Sequence, residues 1–292
     1  MKKLKQNRGA SFLVVTVVYI VAAIAGIALY QALRLPWWLA LLVADAAATV
    51  VTFLFSVIFQ NASVYDPYWS VQPPVILGAF LWGNEVSVYG LVLMCVVTFW
   101  AIRLTANWAY TFANLEHQDW RYTMLKEKTG LFYPVINFVG IHMVPTLVVY
   151  GCILPAVFAV KLNLRANIGS LLFLCLSLGG AVLQGISDVQ MHRFRKHRNG
   201  PFIRSGVWKH ARHPNYFGEI LMWWGVALSV ICAEPGLWYL AAGAVANTIL
   251  FHAVSIPMAD NRQSRKEGFQ EYKAQTRKLL PVRKLRQSAV AK

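Results

Sequence analysis

Charged and hydrogen-bonding residues are concentrated in one stretch, residues 188–224, which lies between two long apolar runs. It begins at Asp188, crosses a segment dense in Arg, Lys and His, and returns to apolar sequence through RHPNYFGE, residues 212–219. Pro214 suits the first turn of a helix, where its missing N–H has no cost. The free amides and the positive dipole end of such a helix, flanked by guanidinium groups, bind phosphate. The stretch therefore predicts a site for a phosphate-bearing ligand.

Three side chains around this helix start are candidates for the ligand site. His213 precedes the helix near its cap, and Asn215 and Glu219 lie four residues apart on one face of it. Glu219, just inside the apolar run, either accepts a hydrogen bond from a ribose or amide group or pairs with an arginine that closes the helix end. The residues alone leave both interpretations open.

Another polar face lies in the apolar run that ends at Asp188. Gln184, Ser187, Asp188 and Met191 are spaced i, i+3, i+4 and i+7, which places them on one face of a helix. Polar groups inside a membrane segment are costly, so we expect this face to point into the protein rather than towards lipid. It serves either a ligand or hydrogen bonds between helices.

Tyrosines and one carboxylate cluster in residues 61–70, NASVYDPYWS, which contain no Lys or Arg. A carboxyl group next to phenols can donate a proton to a substrate or hold it by hydrogen bonds, and the residues for that role are Tyr65, Asp66 and Tyr68. Aromatic residues are also common where a membrane span meets water, which is the alternative explanation of the two tyrosines.

Arg103 and Asn107 lie one helical turn apart at the end of a further apolar run. Arg103 either contributes to the same site or only extends its charged end to the membrane surface. Asp45 is isolated within the second apolar run, so it is either paired with a cation from another helix or protonated.

Composition indicates the elements that must position these residues. Of the 292 residues, 57% are hydrophobic and only 14% are charged, whereas soluble domains carry about a quarter charged residues. Runs of about 20 apolar residues suffice to cross a bilayer. We predict an all-α integral membrane protein, one polytopic domain over residues 1–292 with seven or eight spans, the third being short and containing Pro73 and Pro74. The candidate spans are 11–33, 37–59, 69–83, 86–105, 133–160, 167–190, 215–233 and 236–257.

The distribution of positive charge predicts the orientation. Of 28 Lys and Arg, 25 fall in four segments: 4 in residues 2–8, 4 in 103–128, 7 in 193–212 and 10 in 262–292. This pattern places both termini and these loops in the cytoplasm and indicates membrane lipids, not nucleic acid, as partners of the charges. The run after residues 1–8 is too long for a signal peptide, so we expect an uncleaved first span. After the last span, residues 263–280 predict an amphipathic helix.

Several kinds of site are not indicated. The four cysteines stand singly in apolar runs, which predicts neither disulfides nor a metal site. The sequence also lacks the glycine-rich signatures of a Rossmann domain or a P-loop. Any nucleotide would therefore be held by loops and helix ends.

At residues 212–219 the sequence resembles the steroid 5α-reductase group of membrane proteins and the related membrane methyltransferases, such as the isoprenylcysteine carboxyl methyltransferases. Further segments look like an uncharacterised, mostly bacterial subgroup of the reductase branch, and the resemblance extends over about residues 60–281. These segments are SVYDPYWSV (63–71), RLTANW (103–108), QDWRY (118–122), SDVQMHRF (187–194), SGVWKHARHPNYFGEILMWWG (205–225) and FQEYKAQTRKLLP (269–281).

The resemblance implies a helical bundle, in a bacterial inner membrane, that transfers a hydride from NADPH to an activated C=C bond of a lipophilic, steroid-like or isoprenoid substrate. The cofactor would lie in the C-terminal half, about residues 167–285. The residues implied to bind or enclose it are Arg103, Asn107, Asp188, Arg193, Arg212, His213, Asn215, Tyr216, Glu219, Tyr272 and Arg277.

The sequence departs from the reductases in two places. The Glu and Tyr that polarise the substrate ketone in characterised members have no match, so Tyr65, Asp66 and Tyr68 are our candidates for the acid. Arg262 and Arg265 replace a His/Tyr pair. The methyltransferases usually carry a Glu-Glu pair after a proline near the last span, but Pro257 is followed by Met-Ala-Asp-Asn. An S-adenosylmethionine-dependent methyltransferase and a non-enzymatic lipid-binding protein remain the alternatives, and the oligomeric state is open.

Overall fold

The computed structural model describes residues 2–282, and its elements are helices joined by short loops and turns. Seven of the helices (α2, α3 and α5–α9 below) are long and apolar enough to cross a membrane. This confirms the prediction of an all-α integral membrane bundle. In chain order the helices are α1 (Lys2–Gln6), α2 (Arg8–Ala32), α3 (Trp37–Ile58), α4 (Tyr68–Trp82), α5 (Val88–Thr111), α6 (Trp120–Lys161), α7 (Ile168–His197), α8 (Pro214–Ala233), α9 (Pro235–Ser264) and α10 (Phe269–Gln275).

The short helix α4 nevertheless connects the two ends of the bundle. Just before it, the Asn61 side chain donates to the Leu115 carbonyl at 2.7 Å, beside the end of α5. Just after it, Asn84 Oδ1 accepts from Lys161 Nζ at 3.4 Å, at the end of α6. Fifteen residues of helix extend about 22 Å, so α4 runs between the two ends of the bundle although it is shorter than the seven helices that could cross a membrane.

The ends of the helices define what we call the basic face. It is the end of the bundle that carries residues 2–8, 59–66, 112–122, 190–213 and 262–280. Side-chain contacts join these segments: Lys5 Nζ donates to the Phe59 carbonyl, Arg8 Nη2 donates to the Ala109 carbonyl, and the Arg262 guanidinium lies over the Trp120 ring. The loops that the sequence predicted on one side therefore do lie at one end of the bundle.

Helices α7 and α8 pack closely enough to align their polar residues. A Cβ atom on Gly218 would lie 2.5 Å from the Gly180 carbonyl oxygen and 2.7 Å from Gln184 Cγ. Only glycine permits such an approach of two helix backbones. As a result the start of α8, with Asn215 and Glu219, lies beside the polar face of α7.

Residues 265–280, which we call the C-terminal strap, differ from the predicted helix over 263–280. Helix α9 already extends to Ser264, and Gly268 then adopts a left-handed conformation with φ 72°, which interrupts the helix. After α10 the chain is extended, and Arg277 forms a parallel bridge with Ala211. The bridge amides bond across at 2.9 and 3.0 Å, so backbone pairing replaces the last predicted turns.

Candidate functional site

Helices α5 and α7 meet through polar side chains at the basic face. Arg103 Nη1 donates to Asp188 Oδ2 at 2.7 Å, and its Nη2 donates to Gln184 Oε1. One turn on, Asn107 Oδ1 and His192 Nε2 lie 2.8 Å apart. Gln184 is buried, which confirms that this face of α7 points into the protein. Arg103 Nε is buried and has no hydrogen-bond partner within residues 2–282.

Glu219 is held between two indole rings. Trp100 Nε1 donates to Glu219 Oε2 at 2.9 Å, and Trp223 Nε1 donates to Oε1 at 2.8 Å. Glu219 is only 4% exposed, and the charge of Arg103, one turn from Trp100, acts on it without a direct ion pair. The carboxylate therefore neither closes the helix end with an arginine nor has both oxygens free for a ligand.

The Tyr216 hydroxyl lies where several charged elements converge. Its ring stacks on the His213 ring, with centroids 5.2 Å apart and planes within 4°. In the part of the chain that the structure describes, neither this hydroxyl nor the Asn215 amide makes a hydrogen bond. Charges from three other segments act on the hydroxyl, those of Asp119 and Arg121, of Asp188 and of Asp260. The unpaired Tyr216 hydroxyl at the start of α8 thus lies in a strongly charged environment.

Four cations at the basic face, from the ends of α7 and α9, lie close enough for their charges to interact. Burial and then the neighbouring charges of Arg262, Arg198 and Arg195 lower the pKa of the Lys266 ammonium. Arg195 also acts on Asp188, and Arg262 acts on Asp119, so the group borders the environment of Tyr216. We call Arg195, Arg198, Arg262 and Lys266 the cation cluster.

Sequence reasoning did not identify this cluster. The available signals were the charge density of 193–212 and the arginines at 262 and 265. Like charges placed together repel, which makes the cluster suited to a ligand that carries several negative charges.

The predicted residues Arg212 and His213 both contact Asp260 within the protein. Arg212 Nε and Nη2 each donate to Asp260 at 3.3 Å, and Nη1 donates to the carbonyls of Lys273 and Thr276. His213 Nε2 lies 2.8 Å from Asp260 Oδ1. These side chains fasten the C-terminal strap to α8 and α9.

Tyr272 and Arg277 belong to the same fastening. The Tyr272 hydroxyl donates to the Trp208 carbonyl and lies 3.2 Å from that of Ala211, while burial raises the pKa of Tyr272 to about 12. Arg277 contributes its backbone, and its side chain is exposed. The structure therefore brings Arg212, His213, Tyr272 and Arg277 together in one set of contacts that holds the C-terminal strap in place. We call this set of contacts the latch.

Arg193 is not brought together with the other predicted residues. It follows Asp188 by five residues, which places it about 140° away around α7. It lines an open cleft on the outer side of the helix with Arg204 and Glu267, whereas Asp188 points towards Arg103. A count of charges along the sequence does not show on which side of the helix each charge lies.

The Tyr65 hydroxyl belongs to a chain of hydroxyl groups. It lies 2.8 Å from Thr146 Oγ1, which lies 2.9 Å from Thr49 Oγ1, and Thr49 donates to the Asp45 carbonyl. A carbonyl can only accept, so Thr146 must donate to Thr49 and Tyr65 must donate to Thr146. The Tyr65 proton is therefore committed within the protein, and burial raises the pKa of Tyr65 well above its ordinary value.

The hydroxyl proton of Tyr68 is also donated within the protein. Its hydroxyl donates to Asp45 Oδ1 at 2.9 Å, and Gln72 Nε2 donates to Oδ2 at 2.7 Å. The partners of Asp45 are therefore a phenol and an amide and not the cation that one of our two interpretations required.

Asp66 remains as a side chain able to exchange a proton. The Tyr122 hydroxyl donates to Asp66 Oδ1 at 2.5 Å, and Arg121 Nη2 lies 3.8 Å from the same oxygen. Burial raises the pKa of Asp66 to about 6 even though the Arg121 charge opposes it. Nearby, burial would raise the pKa of Asp119, but Arg121 outweighs it and lowers that pKa. The charge of Arg121 also acts on Tyr216, so Asp66 and the start of α8 both lie within range of the same guanidinium group.

Comparisons with known proteins identify a family without an assigned activity. A similar relative is an uncharacterised protein of Schizosaccharomyces pombe, 24% identical over 196 residues, which are 58% of this chain and 57% of that protein. The match thus spans little more than half of the relative's length. No solved structure matches the chain. Residues 52–276 match the family described as a protein of unknown function, DUF1295. The chain is a member of the DUF1295 family of membrane proteins.

Proposed function

We propose that the protein is an NADPH-dependent reductase that transfers a hydride to an activated C=C bond of a lipophilic, steroid-like or isoprenoid substrate. The observation that carries the proposal is the cation cluster at the basic face, where the start of α8 carries the unpaired Asn215 and Tyr216 side chains. The resemblance of residues 212–219 to the steroid 5α-reductase group supports it. On this proposal the basic face is the cytoplasmic side of a bacterial inner membrane.

The side chains present fit such a cofactor. A dinucleotide with a ribose phosphate carries several negative charges, and Arg195, Arg198, Arg262 and Lys266 would hold its phosphates by charge-assisted hydrogen bonds. Arg103 Nε is a buried donor without a partner within residues 2–282. Asn215 and Tyr216 likewise offer unpaired amide and hydroxyl groups for ribose and carboxamide. Bound NADPH would supply the hydride.

Asp66 is the residue that we assign to the proton. Its pKa near 6 allows a protonated fraction at neutral pH, and Tyr122 fixes the orientation of the carboxyl group. Tyr65 and Tyr68 act as positioning residues, because both donate their hydroxyl protons inside the protein. Glu219 is held by its two indole partners, and Asp188 and Gln184 hold Arg103.

Binding to the purified protein tests this proposal. NADPH should quench tryptophan fluorescence saturably, and S-adenosylmethionine should not compete at equal concentration. A zwitterionic sulfonium gives little reason for four adjacent cations, so a preference for S-adenosylmethionine would favour the methyltransferase alternative. Binding of neither would favour a non-enzymatic lipid-binding protein. Oxidation of NADPH at 340 nm in the presence of a lipophilic enone would then establish the reaction.

A further inference from the structure

An open cleft lies at the basic face on the outer side of α7. Its volume is about 880 Å³. One wall is the end of α7, and the other is formed by the loop after it together with the start of the C-terminal strap. The residues that matter for its chemistry are Gln190, Arg193, Phe202, Arg204 and Glu267.

The walls of the cleft are fixed by the backbone. Gln190 Oε1 accepts from the Val207 amide at 3.0 Å, and Gly206 has a φ of 58°. A Cβ atom on Gly206 would lie 2.2 Å from Gln190 Oε1, so glycine is required where the loop meets α7. On the other wall, the Arg204 guanidinium lies 4.4 Å from the Phe202 ring centroid and donates to the Gly268 carbonyl. The cleft is thus preorganised.

Arg193 is the available cation of the cleft. Its side chain is exposed and makes no ion pair or hydrogen bond with residues 2–282. Glu267 is the acid on the opposite wall, and it stands against two cations of the lining, Arg193 and Arg204. The cleft therefore carries a net positive charge.

The position of the cleft relative to the bilayer follows from α7. Val182, Ile186 and Val189 are 46%, 44% and 48% exposed. Together with Arg193 they have the spacing i, i+4, i+7 and i+11, which is one face of the helix. Thirty residues of helix extend about 45 Å, whereas the hydrocarbon core is about 30 Å thick. The last turns of α7 therefore emerge at headgroup level, with Arg193 at the end of an apolar, lipid-facing ridge.

We propose that this cleft binds the headgroup phosphate of an anionic phospholipid, with one acyl chain along Val182, Ile186 and Val189. Arg193 contacts the phosphate, and Arg204 contributes its charge from the opposite wall. An apolar ridge that leads into a cationic cleft matches a phospholipid in both shape and polarity. The site requires no dinucleotide and stands apart from the proposed reductase activity.

Native mass spectrometry of the detergent-purified full-length chain, without added dinucleotide, tests the proposal. Phosphatidylglycerol should bind at least about fivefold more tightly than phosphatidylcholine or phosphatidylethanolamine. This is the gain in affinity that one basic residue contributes at an anionic membrane surface. Arg193→Gln should abolish the preference. Arg195→Gln is the matched control, because it removes the same charge from the other face of α7, and it should keep the preference.

Three results would overturn the proposal. The first is an absence of headgroup preference in the wild type, and the second is an equal loss in both arginine variants, which would indicate only a diffuse surface charge. The third is displacement of the lipid by an equal concentration of glycerophosphoglycerol, because a headgroup without acyl chains would then suffice. The apolar ridge is tested separately. Ile186→Ser should weaken phosphatidylglycerol binding, whereas Ile249→Ser, at a similarly exposed position on α9, should leave it unchanged.

Discussion

Replacing Lys266 by Gln should change the stability of the free protein and its affinity for NADPH in opposite directions. Burial, and then the neighbouring charges of Arg262, Arg198 and Arg195, lower the pKa of the Lys266 ammonium. Removing it relieves repulsion in the free protein. Because pairs of exposed charges interact by about 0.2–1 kcal/mol and salt screens them, we expect a gain in stability of about 0.5 kcal/mol.

The same substitution removes a charge-assisted contact to phosphate. We expect the affinity for NADPH to fall at least about tenfold, which corresponds to about 1.4 kcal/mol. Tryptophan fluorescence titration measures the affinity, and thermal unfolding in detergent measures the stability. Lys128→Gln is the control, because it removes an exposed lysine of α6 outside the cluster, and it should change neither quantity appreciably. An unchanged affinity together with a lower stability would refute the reasoning, because Lys266 would then be a structural residue.

Three further predictions concern packing, the proton and the latch. Gly218→Ala should lower the unfolding temperature markedly, because its Cβ atom would lie 2.5 Å from the Gly180 carbonyl oxygen, whereas Gly179→Ala, with open space around it, should not. If Asp66 donates the proton with a pKa near 6, kcat should fall with rising pH above about 6, and Asp66→Asn should lower kcat and remove that dependence. Arg212→Ala should destabilise the fold by about 3 kcal/mol through loss of a buried ion pair, and limited proteolysis should then cut the C-terminal strap faster.

Hydropathy predicted the helices well but not how far they extend. Eight apolar runs correspond to eight helices, and on the face away from the basic segments their ends agree within about two residues. At the basic face, α5, α7 and α9 continue to Thr111, His197 and Ser264, six or seven residues beyond the predicted spans. A hydropathy profile places the end of a span where the apolar residues end. The helix itself continues into water for as long as its residues favour helical structure. The extensions matter, because they carry Asn107, His192 and Arg262.

The inward face of α7 was predictable because it needs only helical spacing. Gln184 and Asp188 lie on one face of α7, and Arg103 and Asn107 lie on one face of α5. Spacing within each helix was therefore sufficient to identify both sides of the contact between α5 and α7. The cation cluster was not predictable in this way, because it requires the end of α9 to lie beside the end of α7. The latch was missed for a similar reason. Arg212 resembles a free phosphate ligand in the sequence, and only the position of Asp260 shows that it is occupied.

The case of Arg193 differs, because the sequence contained the information that separates it from Asp188 around α7. At 100° per residue, Arg195 returns to within about 20° of Asp188, whereas Arg193 points about 140° away and continues the lipid-facing series of Val182, Ile186 and Val189. Two arginines separated by one residue thus lie on different sides of α7, since the charge of Arg195 acts on Asp188 and Arg193 lines the cleft. Charge density alone treats them as equivalent. If the two proposals hold, Arg195→Gln should weaken NADPH binding and spare phosphatidylglycerol, and Arg193→Gln should do the reverse. Equal effects of the two substitutions on both ligands would mean that the basic face acts only through its total charge.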